Sequence, residues 1–207
     1  MEIPILLVSD GLFHPSLPAR RVLERFLRGL PGSAVLRARS LEALPRIDRA
    51  GIRAVVLYYH HKTISPAALD ALEQYAQSGG GVVAVHSASA SFKQSARYRD
   101  LLGGRFLRHG PVREINLRPC AESVLFAGIP PFPLRDELYR HEVTPDITAH
   151  FFVEVDGERE PFVWSRSCGA GRVLYLAPGH TVSALRSPHL QEILRRGLAW
   201  VSREEGG

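Results

Sequence analysis

The residues best equipped for chemistry in this sequence are histidines, and their placement matters more than their number. Ser9-Asp10-Gly11-Leu12-Phe13-His14 follows a first apolar run, and His60-His61-Lys62-Thr63 follows a second. His86-Ser87 follows a third, and Pro178-Gly179-His180-Thr181 a last. Imidazole carries protons and binds metals near neutral pH. Ligands of open α/β sheets sit beyond the carboxyl ends of the strands, so these four ends would bring histidines to one place. His60 and His61 alternate in direction if extended, so one of the two faces inward. The middle of the chain adds His109 and the stretch Asp136-Glu137-Leu138-Tyr139-Arg140-His141, with carboxylates and another imidazole. Acid–base work falls to His86 and His180, with Glu137 orienting one of them or binding a metal. His14 and His109 would hold substrate or metal, with His60 and Tyr139 on the substrate side. His150 and His189 read as structural or exposed.

Known metal and nucleophile signatures are missing. There is no HExxH, no CxxC pair and no carboxylate-rich calcium loop. A metal site would have to assemble from distant segments, with His14, His86, His109, His180 and Glu137 as donors. Such a mixed nitrogen and oxygen set suits zinc or manganese. The turn around residue 86 is where a hydrolase would expose its nucleophile, but no GxSxG or GxCxG occurs there. Ser87 reads as a hydroxyl that caps the following turn. Gly79-Gly80-Gly81 precedes a strand instead of following one, so it is no phosphate cradle.

The elements that would position these residues follow from apolar patterning. Ile3–Val8, Ala54–Tyr59 and Gly81–Val85 are continuous apolar runs, as expected of strands buried on both faces of a parallel sheet. Helical spacing fills the gaps. Leu17–Leu30 carries Val22, Leu23, Phe26, Leu27 and Leu30, and Pro66–Gln77 has Ser65 as its cap. Strand, helix, strand at this pitch predicts βαβ crossovers and a doubly wound, mostly parallel sheet in three layers. Arg99–Gly110 reads as a less regular middle, Val112–Leu117 as a strand and Ile129–Leu134 as a proline-rich loop. His150–Val155, Pro161–Trp164 and Arg172–Ala177 read as later strands, before a closing helix from Pro188 to about Ser202. Residues 1–207 read as one domain, without repeats or a linker.

Composition narrows the function classes. The chain has 207 residues, is 45% apolar and 23% charged, and carries a formal charge of +5. Its lysines are Lys62 and Lys93, and its arginines are scattered without interleaved aromatics. That argues against a nucleic-acid partner. No apolar run reaches the ~18 residues of a membrane span, and the start reads as a strand rather than a signal peptide. Two cysteines, Cys120 and Cys168, are too few for a disulfide framework and fit a reducing, cytoplasmic setting. A homodimer is the default for a soluble chain of this size.

The sequence resembles the trehalose-utilization (ThuA-like) family, a branch of the class I glutamine amidotransferase-like α/β fold. The resemblance is carried by His14, by YYHHKTISPAALDALEQYAQSGGGVVAVHSA and by LLGGRFLRHGP. It continues through DELYRHEV, PFVWSRSCGAGRVLYLAPGHT and LRRGLAWV. It implies a flavodoxin-like sheet in which His86 stands where the amidotransferases carry their cysteine. Histidine cannot form the thioester, so glutaminase activity is not expected. The resemblance further implies a part in the catabolism of trehalose and related sugars, some through keto-sugar intermediates.

Two functions stay open at this stage. One is an enzyme on a small carbohydrate derivative, where proton abstraction beside a carbonyl would need a metal or an imidazolium as electrophile. The other is a non-catalytic ligand-binding or scaffold domain that kept the fold and lost the nucleophile. Histidines converging on one point would favour the first. Histidines separately satisfied by backbone would favour the second.

Overall fold

The computed structural model describes residues 3–10, 15–49 and 51–203. Its parallel half is made of β1 (Ile3–Val8), β2 (Ser33–Ala38), β3 (Ala54–Leu57) and β4 (Gly81–Val85). Three of these runs, β1, β3 and β4, have no polar face because they have no solvent face: Ile5–Val8, Ala54–Leu57 and Val82–Val85 are all buried, whereas β2 is the edge strand. Between them lie α1 (Leu17–Arg28) and α2 (Pro66–Gln77), each with a serine cap and a proline in its first turn. Ser65 caps Ala68 N–H of α2 at 3.2 Å. Its own N–H and hydroxyl are held by Glu42, whose carboxyl is lowered by those bonds.

The expected less regular middle is in fact regular. It holds α3 (Ala96–Leu102) and two long strands, β5 (Gly104–Pro119) and β6 (Phe132–Val143). The proline-rich Ile129–Leu134 loop runs into β6, and the stretch from Asp136 to His141 is strand rather than loop. The cause is pairing: β5 and β6 form an antiparallel ladder from Gly104–Val143 to Leu117–Phe132, with two register shifts between Phe106 and Val112. Then follow β7 (Thr148–Val155), β8 (Glu158–Cys168), β9 (Gly171–Leu176), α4 (Val182–Leu185) and α5 (Pro188–Ser202). The closing helix buries Leu190, Ile193, Leu194, Leu198 and Val201, the stripe its sequence announces.

All nine strands join one sheet in the order β2-β1-β3-β4-β9-β8-β7-β5-β6. The pairs from β2 to β9 are parallel and those from β9 to β6 antiparallel, so the sheet is mixed rather than mostly parallel. Helices cover both of its faces. A side chain at Gly171 of β9 would run into the Ala76 carbonyl of α2, whereas the neighbouring Arg172 reaches the Trp200 carbonyl of α5 at 2.7 Å. Successive strand residues face opposite ways, which makes this a three-layer α/β fold. Among the described residues β5 pairs with the main sheet through Arg118 and Pro119, opposite Phe152 and Phe151. The remainder of the β5–β6 hairpin is therefore free to leave the sheet and fold back across the ends of β4 and β9.

Among the described residues no helix is long and apolar enough to cross a membrane. Cys120 and Cys168 are free thiols, each raised by burial. His150 has the expected structural role. Its two ring nitrogens meet the hydroxyls of Ser123 at 2.9 Å and Ser165 at 2.8 Å, and burial lowers its pKa to about 4.

A depressed imidazole pKa means that the folded protein resists a proton the unfolded chain takes up near pH 6.5. The stability is thus complete above that value and is lost as pH falls towards 4. Urea unfolding should show wild type losing about 2 kcal/mol more than His150→Gln between pH 7.5 and pH 5. Equal losses in the two proteins would remove His150 from the acid response.

Candidate functional site

The site begins at His86, directly after β4. Its backbone is left-handed, with φ of 49°, a conformation that costs a non-glycine residue roughly 1–3 kcal/mol. A short 3-10 turn from His86 to Ala90 follows, buried throughout. Nδ1 of the His86 ring lies 2.9 Å from the Ala177 carbonyl just after β9. A carbonyl only accepts, so Nδ1 carries a hydrogen, and in the neutral ring Nε2 presents its lone pair to the site.

Nε2 faces Glu137. This carboxylate, 6% exposed, is the meeting point of three histidines. Its Oε2 lies 3.5 Å from His86 Nε2 and 3.3 Å from His180 Nδ1, while Oε1 lies 3.4 Å from His109 Nδ1. One donor atom each from His86, Glu137 and His180 falls within 4.8 Å of the others. His109 stands at the rim, its side chain 44% exposed, and Nδ1 also approaches the Gly110 carbonyl. Tyr139 floors the group: its ring lies 4.2 Å from that of His86, 4.5 Å from Phe106 and 5.8 Å from His109. Burial raises the Tyr139 phenol, with the nearby carboxylates Glu137 and Asp136 adding to it, so it stays a neutral wall.

The loop that carries His180 is held from two sides. Asp136, wholly buried, accepts from Gly179 N–H at 2.7 Å, from His180 N–H at 3.1 Å and from Glu137 N–H at 2.8 Å. Burial raises its carboxyl, while His86 and these N–H groups pull the other way. Tyr58, at the end of β3, donates to the Gly179 carbonyl at 2.5 Å. Gly179 has φ of 149°, and a Cβ there would lie 3.0 Å from the His86 Cβ. Glycine therefore lets the His180 loop approach His86 closely.

The structure thus brings together His86, His180, His109, Glu137 and Tyr139 of the sequence candidates. His60 is exposed after β3 and stands outside the converging set. His14 lies outside the described residues. Ser87 is buried beside His86, at the start of the 3-10 turn. His189 packs its ring 4.9 Å from Phe132. Glu137, Tyr139 and His109 are on strands of the hairpin, not on loops at strand ends. Sequence reasoning missed Asp136 and Tyr58 as the groups that fix the His180 loop. Reading DELYRH as a strand would have put Glu137, Tyr139 and His141 on one face by alternation alone.

A separate concavity of about 390 Å³ lies at the amino ends of β3 and β4, lined by Arg49, Arg53, Arg203, Gln74 and Tyr75 among others. It surrounds the carboxyl ends of α2 and α5, and Arg49 and Arg203 donate to the carbonyls of Ala71 and Ala170. Cations at helix carboxyl ends are explained by the helix dipole without a ligand.

The Gly179 geometry makes a prediction. Gly179→Ala forces an L side chain into a backbone region reserved for glycine and against His86, and should cost roughly 1–3 kcal/mol. Thermal unfolding measures it, and an unchanged midpoint would mean that the loop can retreat from His86 freely.

Comparison with known proteins places this arrangement in a family. The chain is similar in structure to a ThuA-like protein from Parabacteroides merdae, with a TM-score of 0.86 and 20% identity over 98% of this chain and 90% of that one. A ThuA-like protein from Bacteroides uniformis gives 0.82 and 18%, over 97% and 91%. A β-galactosidase from the haloarchaeon Halorubrum lacusprofundi gives 0.67 and 18%, covering 98% of this chain but 31% of that larger one. No curated protein matches the chain. The family model described as trehalose utilisation, ThuA, matches residues 6–201, nearly the whole length, and the chain belongs to that family.

Proposed function

We propose that the chain is an enzyme acting on a small carbohydrate derivative at the His86–Glu137–His180 site, with a divalent metal, zinc or manganese, held by those three residues. The observation that carries this reading is the convergence of two imidazole nitrogens on one carboxylate oxygen, at 3.5 and 3.3 Å. In its neutral form the ring of His86 turns a lone pair towards that carboxylate, because Nδ1 then donates to Ala177. Two electron-rich groups facing each other in a buried site are stabilised by a cation between them. The donor set of two nitrogens and a carboxylate suits zinc or manganese. His109 is then a rim group for metal or substrate, a role we also propose for His14, and His60 reaches substrate from farther out.

Sugar chemistry is supported by the trehalose-utilisation family and by the likeness to part of a β-galactosidase. A keto-sugar fits the residues in hand. The metal would supply a Lewis acid for the carbonyl oxygen. Glu137 Oε1, the oxygen not shared with His86 and His180, would take the proton from the adjacent carbon, and the neutral aromatic wall of Tyr139 and Phe106 would face the ring. We read the parallel half, ordered β2-β1-β3-β4-β9, as flavodoxin-like. With His86 at the nucleophile position, glutaminase activity is not expected. The remaining expectations, a cytoplasmic setting, a homodimer and no nucleic-acid partner, belong to the same proposal. A scaffold role is disfavoured because His86, His109 and His180 all approach one carboxylate, in addition to the backbone carbonyls that His86 and His109 also meet.

Elemental analysis of untagged protein grown without added metal tests the site. Near-stoichiometric zinc or manganese is expected in wild type and should fall to background in His86→Ala and His180→Ala. Metal retained in both variants would place it elsewhere. Incubation with keto-sugars in deuterated water should then introduce deuterium beside the carbonyl in wild type and not in Glu137→Gln, by mass spectrometry. No exchange with any keto-sugar would remove proton abstraction from the proposal.

A further inference from the structure

Behind the metal-facing side of His86 lies a second polar cluster, entirely buried. Tyr175 of β9 donates its hydroxyl to the His86 carbonyl at 3.0 Å. With that hydrogen directed at the carbonyl, the phenol oxygen is flanked by the Ser89 hydroxyl at 2.8 Å and by His141 Nε2 at 3.1 Å. Ser89 also reaches the same carbonyl, at 3.2 Å. The His141 side chain is 0% exposed, and its Nδ1 lies 3.4 Å from Glu160, which also accepts the His141 N–H at 2.9 Å and pairs with Arg140 at 3.5 Å. Trp164 encloses the group, its ring 4.2 Å from that of Tyr175 and 5.0 Å from that of His141. The residues come from four segments: the turn after β4, and β6, β8 and β9.

Such a network is costly to bury, since each polar group must find a partner in a low-dielectric setting. Apolar packing would fill the space more cheaply. What the cluster touches at its end is the carbonyl of the one strand-end residue held at φ of 49°. A left-handed histidine persists only where its surroundings over-determine it. Holding its carbonyl fixes the peptide plane after His86 and, with it, the direction in which the imidazole leaves the backbone.

We propose that Tyr175 is a positioning residue for His86, aligned by Ser89 and by the His141–Glu160 pair, and that this relay sets where His86 Nε2 points in the site. The proposal rests on the reading of His86 as a metal ligand, but it predicts an effect on the ring that exists without metal. Tyr175→Phe removes one oxygen and keeps the ring against Trp164, so the fold should survive. His141→Gln keeps a nitrogen near the Nε2 position and should restore what His141→Ala loses.

Two readouts separate the possible failures. The first is the imidazole nitrogen spectrum of metal-free protein, where wild type should show a protected His86 Nδ1–H bonded to Ala177. In Tyr175→Phe and His141→Ala that signal should broaden or vanish, and in His141→Gln it should return. The second is titration with cobalt(II), followed by its visible absorption, where Tyr175→Phe should bind about tenfold more weakly. A wild type that takes up no cobalt overturns the metal reading but leaves the first readout able to decide the relay. Should Tyr175→Phe keep both the Nδ1–H signal and wild-type cobalt affinity, with only its melting point lowered, Tyr175 is structural and the proposal fails. If His141→Ala cannot be folded, Tyr175→Phe alone carries the test.

Discussion

The arrangement depends on the Asp136 carboxylate, which ties the β5–β6 hairpin to the loop after β9. Three backbone N–H groups, from Gly179, His180 and Glu137, offset the cost of burying it. Along the sheet ladder the hairpin pairs with the main sheet at Arg118 and Pro119, and its other ties are side-chain packing and bonds such as those of His141 to Glu160 and Tyr175. The bonds to Asp136 bring Glu137, on the hairpin, and His180, on the loop, to the one carboxylate oxygen where His86 also arrives. One buried acid thus sets the register between two halves of the molecule that the sheet ladder alone leaves loosely related.

Around that constraint the parallel half supplies rigidity and two imidazoles, and the antiparallel half supplies the carboxylate. β3, β4 and β9 are buried on both faces and end together. Their ends deliver Tyr58, His86 and the Ala177–His180 segment with little freedom. The hairpin delivers Glu137, Tyr139, His141 and His109 from the side. The two register shifts in β5 fall between Phe106 and Val112, where the strand passes the site and His109 turns towards Glu137. The site is therefore assembled jointly, with its two innermost imidazoles from the ends of parallel strands and its carboxylate from the antiparallel hairpin.

Much of this was legible in the sequence, for reasons that can be named. Runs such as AVVLYY and GVVAV have no polar alternation, which is the mark of a doubly covered strand, and their ends placed His86 and His180 correctly. Ser65 and Pro66 fixed the start of α2 to the residue. The hairpin was harder to see. Arg, Glu and His recur through β5 and β6 beside the site, and a clean apolar alternation is confined to their far ends, where Ile115 and Leu117 pair with Leu134 and Phe132. Leu138 and Tyr139 are buried between charged neighbours, a pattern that hydrophobicity alone reads as loop. Asp136 escaped notice because its partners are backbone N–H groups, two of them some forty residues away, which leave no trace in residue type.

The hairpin's slight attachment has an evolutionary consequence. Because it is a continuous segment paired with the sheet at two residues, changes at its exposed positions leave the hydrophobic strands of the scaffold untouched, whereas Ile115, Leu117, Leu134 and His141 are packed against them. Of the groups that meet at the site, Glu137, Tyr139 and His109 can be exchanged in that one segment, whereas His86 and His180 are bound to the scaffold itself. Descendants of this architecture can thus diverge in what they recognise at the pace of a surface hairpin, while the two imidazoles change only at the pace of a core.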